Sequence, residues 1–221
     1  MKNQDYLYLD HAASTPMRKS AMDKYIEAES FGYANSSGGH KLSRNSKNLL
    51  EDSREKIAEL LNAAQGEIVF TSGGTEADNW TIKSLFNSER PNDNLVTSNI
   101  EHEAVIASAE WVSSNGFHTK YAKSDKNGLV TKDEFLDQVD NDTKVASLMW
   151  GNNETGIIQP INDIAREIKT INSSTHCLLN VGDPTQLSTI RCGDLVNLSI
   201  RVYLEISTFF QASTKFQFRP S

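Results

Sequence analysis

The sequence has little cysteine and no long apolar run. Its two cysteines, Cys177 and Cys192, provide neither a disulfide framework nor the spaced pairs that bind a structural metal ion. No stretch reaches the apolar length of a membrane span, and the polar N-terminus lacks the apolar core of a secretory signal. We therefore expect a cytoplasmic protein with no metal site and no membrane association.

Positive charge is also in the minority, with 22 Lys and Arg against 29 Asp and Glu and a formal net charge of −7. This balance argues against unaided binding to nucleic acid or to an anionic membrane. The sequence contains neither Gly-x-x-x-x-Gly-Lys-[Ser/Thr] nor Gly-x-Gly-x-x-Gly at its glycine-rich turn, so a Walker-type loop is excluded and a dinucleotide site has little support. Its 221 residues allow one large α/β domain or one and a half smaller ones.

The most informative stretch is residues 71–79, Thr-Ser-Gly-Gly-Thr-Glu-Ala-Asp-Asn. The β-branched and aromatic run before it predicts a buried strand at 67–71, and apolar residues at helical spacing after it predict a helix at 77–86. Glycines let the backbone approach a ligand, and free N–H groups at a helix start attract anions. With the Thr75 hydroxyl as a further donor, the pattern predicts a phosphate cup; the alternative is a tight turn capped by Ser72 or Thr75.

Predicted strands and helices alternate along most of the chain. The predicted strands are 6–9, 94–98, 117–122 and 144–150, and the other predicted helices are 17–30, 42–64, 103–114, 131–139 and 161–171. This alternation predicts an α/β fold of three layers, with right-handed crossovers and a mostly parallel sheet covered on both faces. Ligands in such folds bind at the carboxyl ends of strands, so we expect the loops after Thr71, Ser98 and Met149 to converge on one crevice.

Four phrases together resemble the pyridoxal-phosphate-dependent cysteine desulfurases of the class V aminotransferase group. They are Tyr-Leu-Asp-His-Ala-Ala-Ser-Thr-Pro at 8–16, Phe-Thr-Ser-Gly-Gly-Thr-Glu-Ala-Asp-Asn at 70–79, Thr-Ser-Asn-Ile-Glu-His at 97–102 and Gly-Asn-Asn-Glu-Thr-Gly at 151–156. They occur in the family's order and approximate spacing. The resemblance implies the large domain of a pyridoxal-phosphate-dependent transferase (fold type I), incomplete in this chain.

The resemblance also implies roles for individual residues. The backbone of Gly74 and the hydroxyl and amide of Thr75 would hold the phosphate of pyridoxal 5'-phosphate. His102 would be catalytic, stacking on the pyridine ring and relaying protons, and Asn153 would hydrogen-bond the phenolic oxygen of the ring. The residues alone leave alternatives open, because His102 stands where a helix cap is common and Asn153 lies in turn-forming sequence.

The sequence departs from the family beyond residue 176. Leu178 stands where the family has the aspartate that pairs with the pyridine nitrogen. The family's Ser-x-His-Lys, which contains the Schiff-base lysine, has only a weak and displaced counterpart at Lys215, without the histidine. Neither Cys177 nor Cys192 matches the sulfur-carrying cysteine. We therefore predict that residues 1–176 are the N-terminal part of the transferase domain and that 177–221 are a divergent or frameshifted tail rather than a separate domain.

The expected function is pyridoxal-phosphate-dependent removal of sulfur from L-cysteine, or a similar amino acid, for iron–sulfur cluster or thiocofactor supply. We expect this chain, truncated and altered in its tail, to be inactive alone. The implied partners are a second copy in a homodimer and a sulfur-acceptor protein. The alternatives are a non-catalytic module that binds pyridoxal phosphate or dimerises, and another class V enzyme.

Overall fold

The computed structural model describes residues 7–9, 14–61 and 63–180. Helices and strands alternate through this part of the chain, as the sequence predicts. The helices are α1 (Lys19–Phe31), α2 (Lys41–Leu61), α3 (Gly74–Lys83), α4 (Glu103–Ser114), α5 (Lys132–Leu136) and α6 (Ile161–Ile171). The strands are β1 (Asn94–Ser98), β2 (His118–Ala122), β3 (Thr143–Met149) and β4 (His176–Asn180).

The four strands form one sheet in the order β2-β1-β3-β4, and every pairing is parallel. The first strand, β1, lies inside the sheet and β2 forms one edge; the chain then crosses past β1 to β3 and to the other edge, β4. Because parallel strands require crossover connections, α4 joins β1 to β2 and α6 joins β3 to β4. The predicted parallel α/β fold is confirmed.

The sheet is buried on both faces, which gives the three layers. Residues that alternate along the strands divide between two apolar clusters. On one face, α3 and α4 cover the first cluster: Ile82, Phe86, Leu95, Val105, Ala109, Val112, Val145 and Leu178. On the other, α5 and α6 cover the second cluster: Val96, Ala122, Val130, Phe135, Ala146, Leu148, Ile161, Ile164, Ala165, Ile168 and Cys177.

Three elements have the bounds that the sequence predicts, namely β1, α4 and α6. Helix α5 is shorter than predicted, although Thr131 caps it as expected by accepting a hydrogen bond from the Glu134 N–H at 3.3 Å. The reciprocal half of a capping box is absent there, since the Glu134 carboxylate accepts from the Lys123 N–H instead. Helix α1 begins two residues later than predicted, and its N-cap position, Arg18, makes no side-chain cap bond.

Two predicted strands are wrong within the described residues. Residues 68–70 have no regular structure and Thr71 makes a single bridge, while residues 65–67 form a short 3₁₀ turn. Ile68 instead packs with Ile57 and Ala58 of α2. Residues 7–9 are also outside any strand. An apolar run becomes a strand only when another strand pairs with it, and the periodicity of one segment does not show whether that partner exists.

Strand β4 continues the fold beyond residue 176, because its residues His176 to Asn180 pair with Val145 to Met149 of β3. Residues 181–221, which include Cys192 and Lys215, lie outside the described part of the chain, so the division at residue 176 stays a prediction. Across the described residues, no helix is both long and apolar enough to cross a membrane.

Candidate functional site

The predicted phosphate cup is the turn that leads into α3. The helix begins at Gly74, so Gly74 and Thr75 occupy its first turn, and both are exposed. Neither Ser72 nor Thr75 caps the helix, because the N-cap is Gly73 and it makes no side-chain cap bond. Ser72 instead donates from its N–H and its hydroxyl to the carboxylate of Glu76, both at 2.6 Å. These hydrogen bonds lower the pKa of Glu76 and tie Ser72 to the first turn of α3.

The turn meets the requirements of a phosphate group. No acceptor among the described residues is bonded to the N–H of Gly74 or Thr75. An added Cβ at Gly74 would meet no atom within 4 Å, so a ligand can approach the backbone there. Free N–H groups at the start of a ten-residue helix carry the partial positive charge that attracts an anion. The donor set of this turn therefore fits the phosphate of pyridoxal phosphate.

His102 lies just after the carboxyl end of β1, at the N-cap of α4. Its Nδ1 accepts a hydrogen bond from the Ala104 N–H at 3.1 Å, and its side chain is exposed. A neutral imidazole whose Nδ1 accepts has its proton on Nε2. The capping role left open by the sequence is therefore present, and it fixes the ring by one nitrogen while the other remains available to a ligand.

Asn153 lies in the loop that follows β3, and its neighbour Asn152 holds that loop together. The buried Asn152 accepts at Oδ1 from the N–H groups of Thr155 at 2.8 Å and Glu154 at 3.0 Å. Gly156 closes the turn with a φ of +73°, a conformation that glycine adopts without strain. Asn153 itself is exposed. The loop is thus built by its first asparagine, and the second is presented to solvent or to a ligand.

The structure brings the His102 turn and the Asn153 loop together, because β1 and β3 are neighbours in the sheet. The side chain of Asn152 donates to the Ile100 carbonyl at 3.0 Å. In the other direction, Glu101 Oε1 accepts from the Met149 N–H at 2.7 Å. The predicted convergence of the loops after Ser98 and Met149 is confirmed. The third predicted loop, after Thr71, follows no strand among the described residues.

Glu101 is a site residue that sequence reasoning missed. It is buried, and Oε1 also accepts from the Ser98 hydroxyl at 3.0 Å. Burial raises the pKa of this carboxyl from its usual 4.5 to about 7, the hydrogen bonds from Met149 and Ser98 oppose the rise, and the charge of Asp78 adds to it. Asp78 belongs to α3, so the helix that begins at the cup also packs near this pair of loops. The only sequence signal was an acidic residue beside His102.

Leu178 does not lie where a ligand-facing residue would. It pairs with Ser147 in the middle of β4, and its side chain packs in the apolar cluster beneath α3 and α4. Its side chain therefore lies within the sheet rather than at the carboxyl edge, where the loops of the candidate site begin. The first carboxylate after β4 in the sequence is Asp183, which lies outside the described residues. Cys177 is buried, and burial raises the pKa of its thiol.

Comparison with known proteins gives the family. Residues 7–179 match the sequence profile of the family described as Aminotransferase class-V. The cysteine desulfurase IscS of Methanosarcina thermophila is 38% identical over 164 residues, covering 74% of this chain and 41% of that protein. The putative cysteine desulfurase IscS 1 of Bacillus subtilis is 37% identical, covering 74% of this chain and 43% of its own length. The chain thus spans about two-fifths of the length of these curated relatives.

Solved structures agree with the sequence relatives. A NifS-like protein superposes with a TM-score of 0.75 at 33% identity, over 78% of this chain and 48% of its own. SspA in complex with cysteine gives a TM-score of 0.72 at 31% identity, over 79% of this chain and 50% of its own. With the fold, the paired loops and the matched residues together, the chain belongs to the class V aminotransferase family and is cysteine desulfurase-like over residues 7–179.

Proposed function

We propose that this chain carries the phosphate-holding and ring-holding part of a pyridoxal-phosphate-dependent enzyme that removes sulfur from L-cysteine. The observation that carries the proposal is the placement of His102 and Asn153 on two loops joined at the carboxyl ends of β1 and β3. The open helix start at Gly74 adds a place for the phosphate. The chain spans only about two-fifths of the length of its curated relatives, so we propose the activity, the substrate and the sulfur acceptor on the basis of the site.

Each residue of the site has a distinct task in this proposal. The N–H groups of Gly74 and Thr75 and the Thr75 hydroxyl bind the phosphate, while His102 lies against the pyridine ring and moves a proton through Nε2. Asn153 donates to the phenolic oxygen and so fixes the orientation of the ring. Pyridoxal phosphate, when bound, supplies the electron sink for the amino acid's bonds, and the protein supplies binding and orientation.

Titration of the protein with pyridoxal phosphate and with pyridoxal, followed by fluorescence, tests this assignment. The phosphorylated form should bind more tightly, and inorganic phosphate should compete with it. Thr75→Ala should weaken binding of the phosphorylated form by roughly 1–3 kcal/mol, the contribution of one hydrogen bond to a charged acceptor. Thr75→Ser retains the hydroxyl and should restore most of the affinity.

A matched control is Thr170→Ala, since Thr170 is an exposed threonine on α6, far along the chain from the cup. It should bind pyridoxal phosphate like the unchanged protein. Equal affinities for pyridoxal phosphate and pyridoxal in the unchanged protein would refute the phosphate cup.

The exposed face of α1 favours a second candidate, a module that acts by dimerisation. Met22, Tyr25 and Ile26 lie on one side of the helix and are 43%, 58% and 61% exposed. Apolar groups exposed together commonly mark an interaction surface, and the proposed occupant is a second copy of the chain. Sedimentation over a range of concentrations should show self-association that Ile26→Glu weakens. A monomer at all concentrations would exclude the dimerising module.

A further inference from the structure

Glu101 is the contact point between the two loops that carry the proposed ring-holding residues. Its position directly precedes His102, and its Oε1 accepts from the Met149 N–H at the end of β3. The same oxygen accepts from Ser98, at the end of β1. One carboxyl oxygen therefore joins the ends of two neighbouring strands at the edge of the sheet where both loops begin.

The second oxygen of the Glu101 carboxyl, Oε2, differs from Oε1 in its contacts. Among the described residues, Oε2 is buried and has no hydrogen-bond partner. Helix α3 brings the buried Asp78 towards it, whereas the N-cap of α4, His102, and its first residue, Glu103, have exposed side chains. The end of β3 carries the uncharged Leu148 and Met149. A proton on Oε2 removes the charge and leaves both hydrogen bonds to Oε1 in place.

We propose that Glu101 is a positioning residue, which fixes the His102 turn relative to the Asn153 loop, the two segments that would hold a pyridine ring. The pyridine ring in this inference rests on the proposed function, whereas the joining of the two loops by Glu101 rests on its hydrogen bonds alone. The second connection, from Asn152 to the Ile100 carbonyl, links the same two segments from the other side. Loss of Glu101 should therefore loosen both segments together.

The chemistry of the hydrogen bonds defines the informative variants. Glu101→Gln keeps an oxygen that accepts from the Met149 N–H and Ser98, so it should preserve the arrangement at all pH values. Glu101→Ala leaves the Met149 N–H buried without an acceptor, which proteins rarely tolerate. Glu103→Gln is the matched control, because it makes the same chemical change two residues away at an exposed side chain.

Hydrogen exchange followed by mass spectrometry tests the joining of the loops without any ligand. In Glu101→Ala, exchange should quicken about tenfold in residues 98–103 and in residues 149–156 alike, from the loss of a buried hydrogen bond. Glu101→Gln and Glu103→Gln should exchange like the unchanged protein. Faster exchange in only one segment, or equal losses in Glu101→Gln and Glu101→Ala, would overturn the proposal. If Glu101→Ala does not fold, Glu101→Asp, whose shorter side chain reaches less far, makes the same comparison.

Ligand titration then separates this inference from the proposed function. Glu101→Ala should bind pyridoxal phosphate about tenfold more weakly while its affinity for inorganic phosphate is unchanged, since the cup lies on another element. An equal loss for both ligands would overturn the positioning role and indicate general damage. If the unchanged protein does not prefer pyridoxal phosphate to pyridoxal, the proposed function fails, and the exchange experiment alone decides whether Glu101 joins the loops.

Discussion

At the scale of single residues, the carboxyl of Glu101 combines three properties that are uncommon together. It is buried, its Oε1 accepts two hydrogen bonds, and its Oε2 accepts none from the described residues. Buried carboxyls favour the protonated form because burial penalises charge. Since the pKa of Glu101 rises from 4.5 to about 7, the stability of the fold should depend on pH through this one group.

The sign of that dependence follows from the raised pKa. Below pH 4.5 the carboxyl is protonated in both the folded and the unfolded chain, and between 4.5 and about 7 only the folded chain keeps the proton. The free energy of unfolding should therefore fall as pH rises through this window, by about 3 kcal/mol from this group at its limit. Urea unfolding at pH 5 and pH 8 should show this fall in the unchanged protein and a smaller one in Glu101→Gln.

Other titrating groups contribute equally to both proteins and cancel in the comparison. Glu103→Gln should keep the pH dependence of the unchanged protein, because its side chain is exposed. If the curves of Glu101→Gln and the unchanged protein run parallel between pH 5 and pH 8, the raised pKa of Glu101 is wrong.

At the scale of elements, α6 shows how a helix that the sequence predicts is held in the fold. Its isoleucines at positions 161, 164 and 168 lie in the apolar cluster beneath it, whereas Ile171 is 40% exposed. Ile168→Ala should lower the free energy of unfolding by roughly 2–5 kcal/mol, since it opens a cavity against the sheet. Ile171→Ala, on the same helix, should change it by less than about 0.5 kcal/mol. Urea denaturation of both variants measures the difference, and equal losses would contradict the packing.

The predictions from sequence succeeded where local signals define an element. Helix α4 follows a cap residue and β1 is a short apolar run between polar ends, so their bounds could be predicted without the rest of the chain. Residues 67–71 look equally strand-like, but a strand depends on a partner distant in sequence. They were therefore predicted as a strand, whereas the structure has only a single bridge residue there, Thr71.

The residues of the candidate site also differ in whether they could be predicted from the sequence. The sequence motifs of the family can be recognised locally, and they contain Gly74, Thr75, His102 and Asn153. The structure places two of these motifs side by side. The contribution of Glu101 depends on a hydrogen bond to Met149, 48 residues away in the chain. The anchoring role of Asn152 likewise depends on the Ile100 carbonyl. Neither contact leaves a local pattern, so neither could be predicted from the sequence.

At the scale of the whole molecule, the part of the chain that the structure describes provides one side of the proposed site. The described residues provide donors for a phosphate, an imidazole and an amide, all on α3 or at the carboxyl ends of β1 and β3. They provide no exposed thiol, because Cys177 is buried in β4 and burial raises its pKa. Binding of pyridoxal phosphate and turnover of cysteine should therefore be separable in this protein.

We predict that the chain alone binds pyridoxal phosphate without turning over cysteine. The lysine of the family's Ser-x-His-Lys has no matching context, since Lys215 lacks the histidine before it. Cys177 is a poor nucleophile, because the thiolate is the reactive form and burial disfavours it. The mixture should lack the visible absorption of cofactor joined to a lysine, borohydride should not attach cofactor to one site, and no sulfide should form from cysteine. Sulfide release that Lys215→Ala abolishes would instead show that the tail completes a working active site.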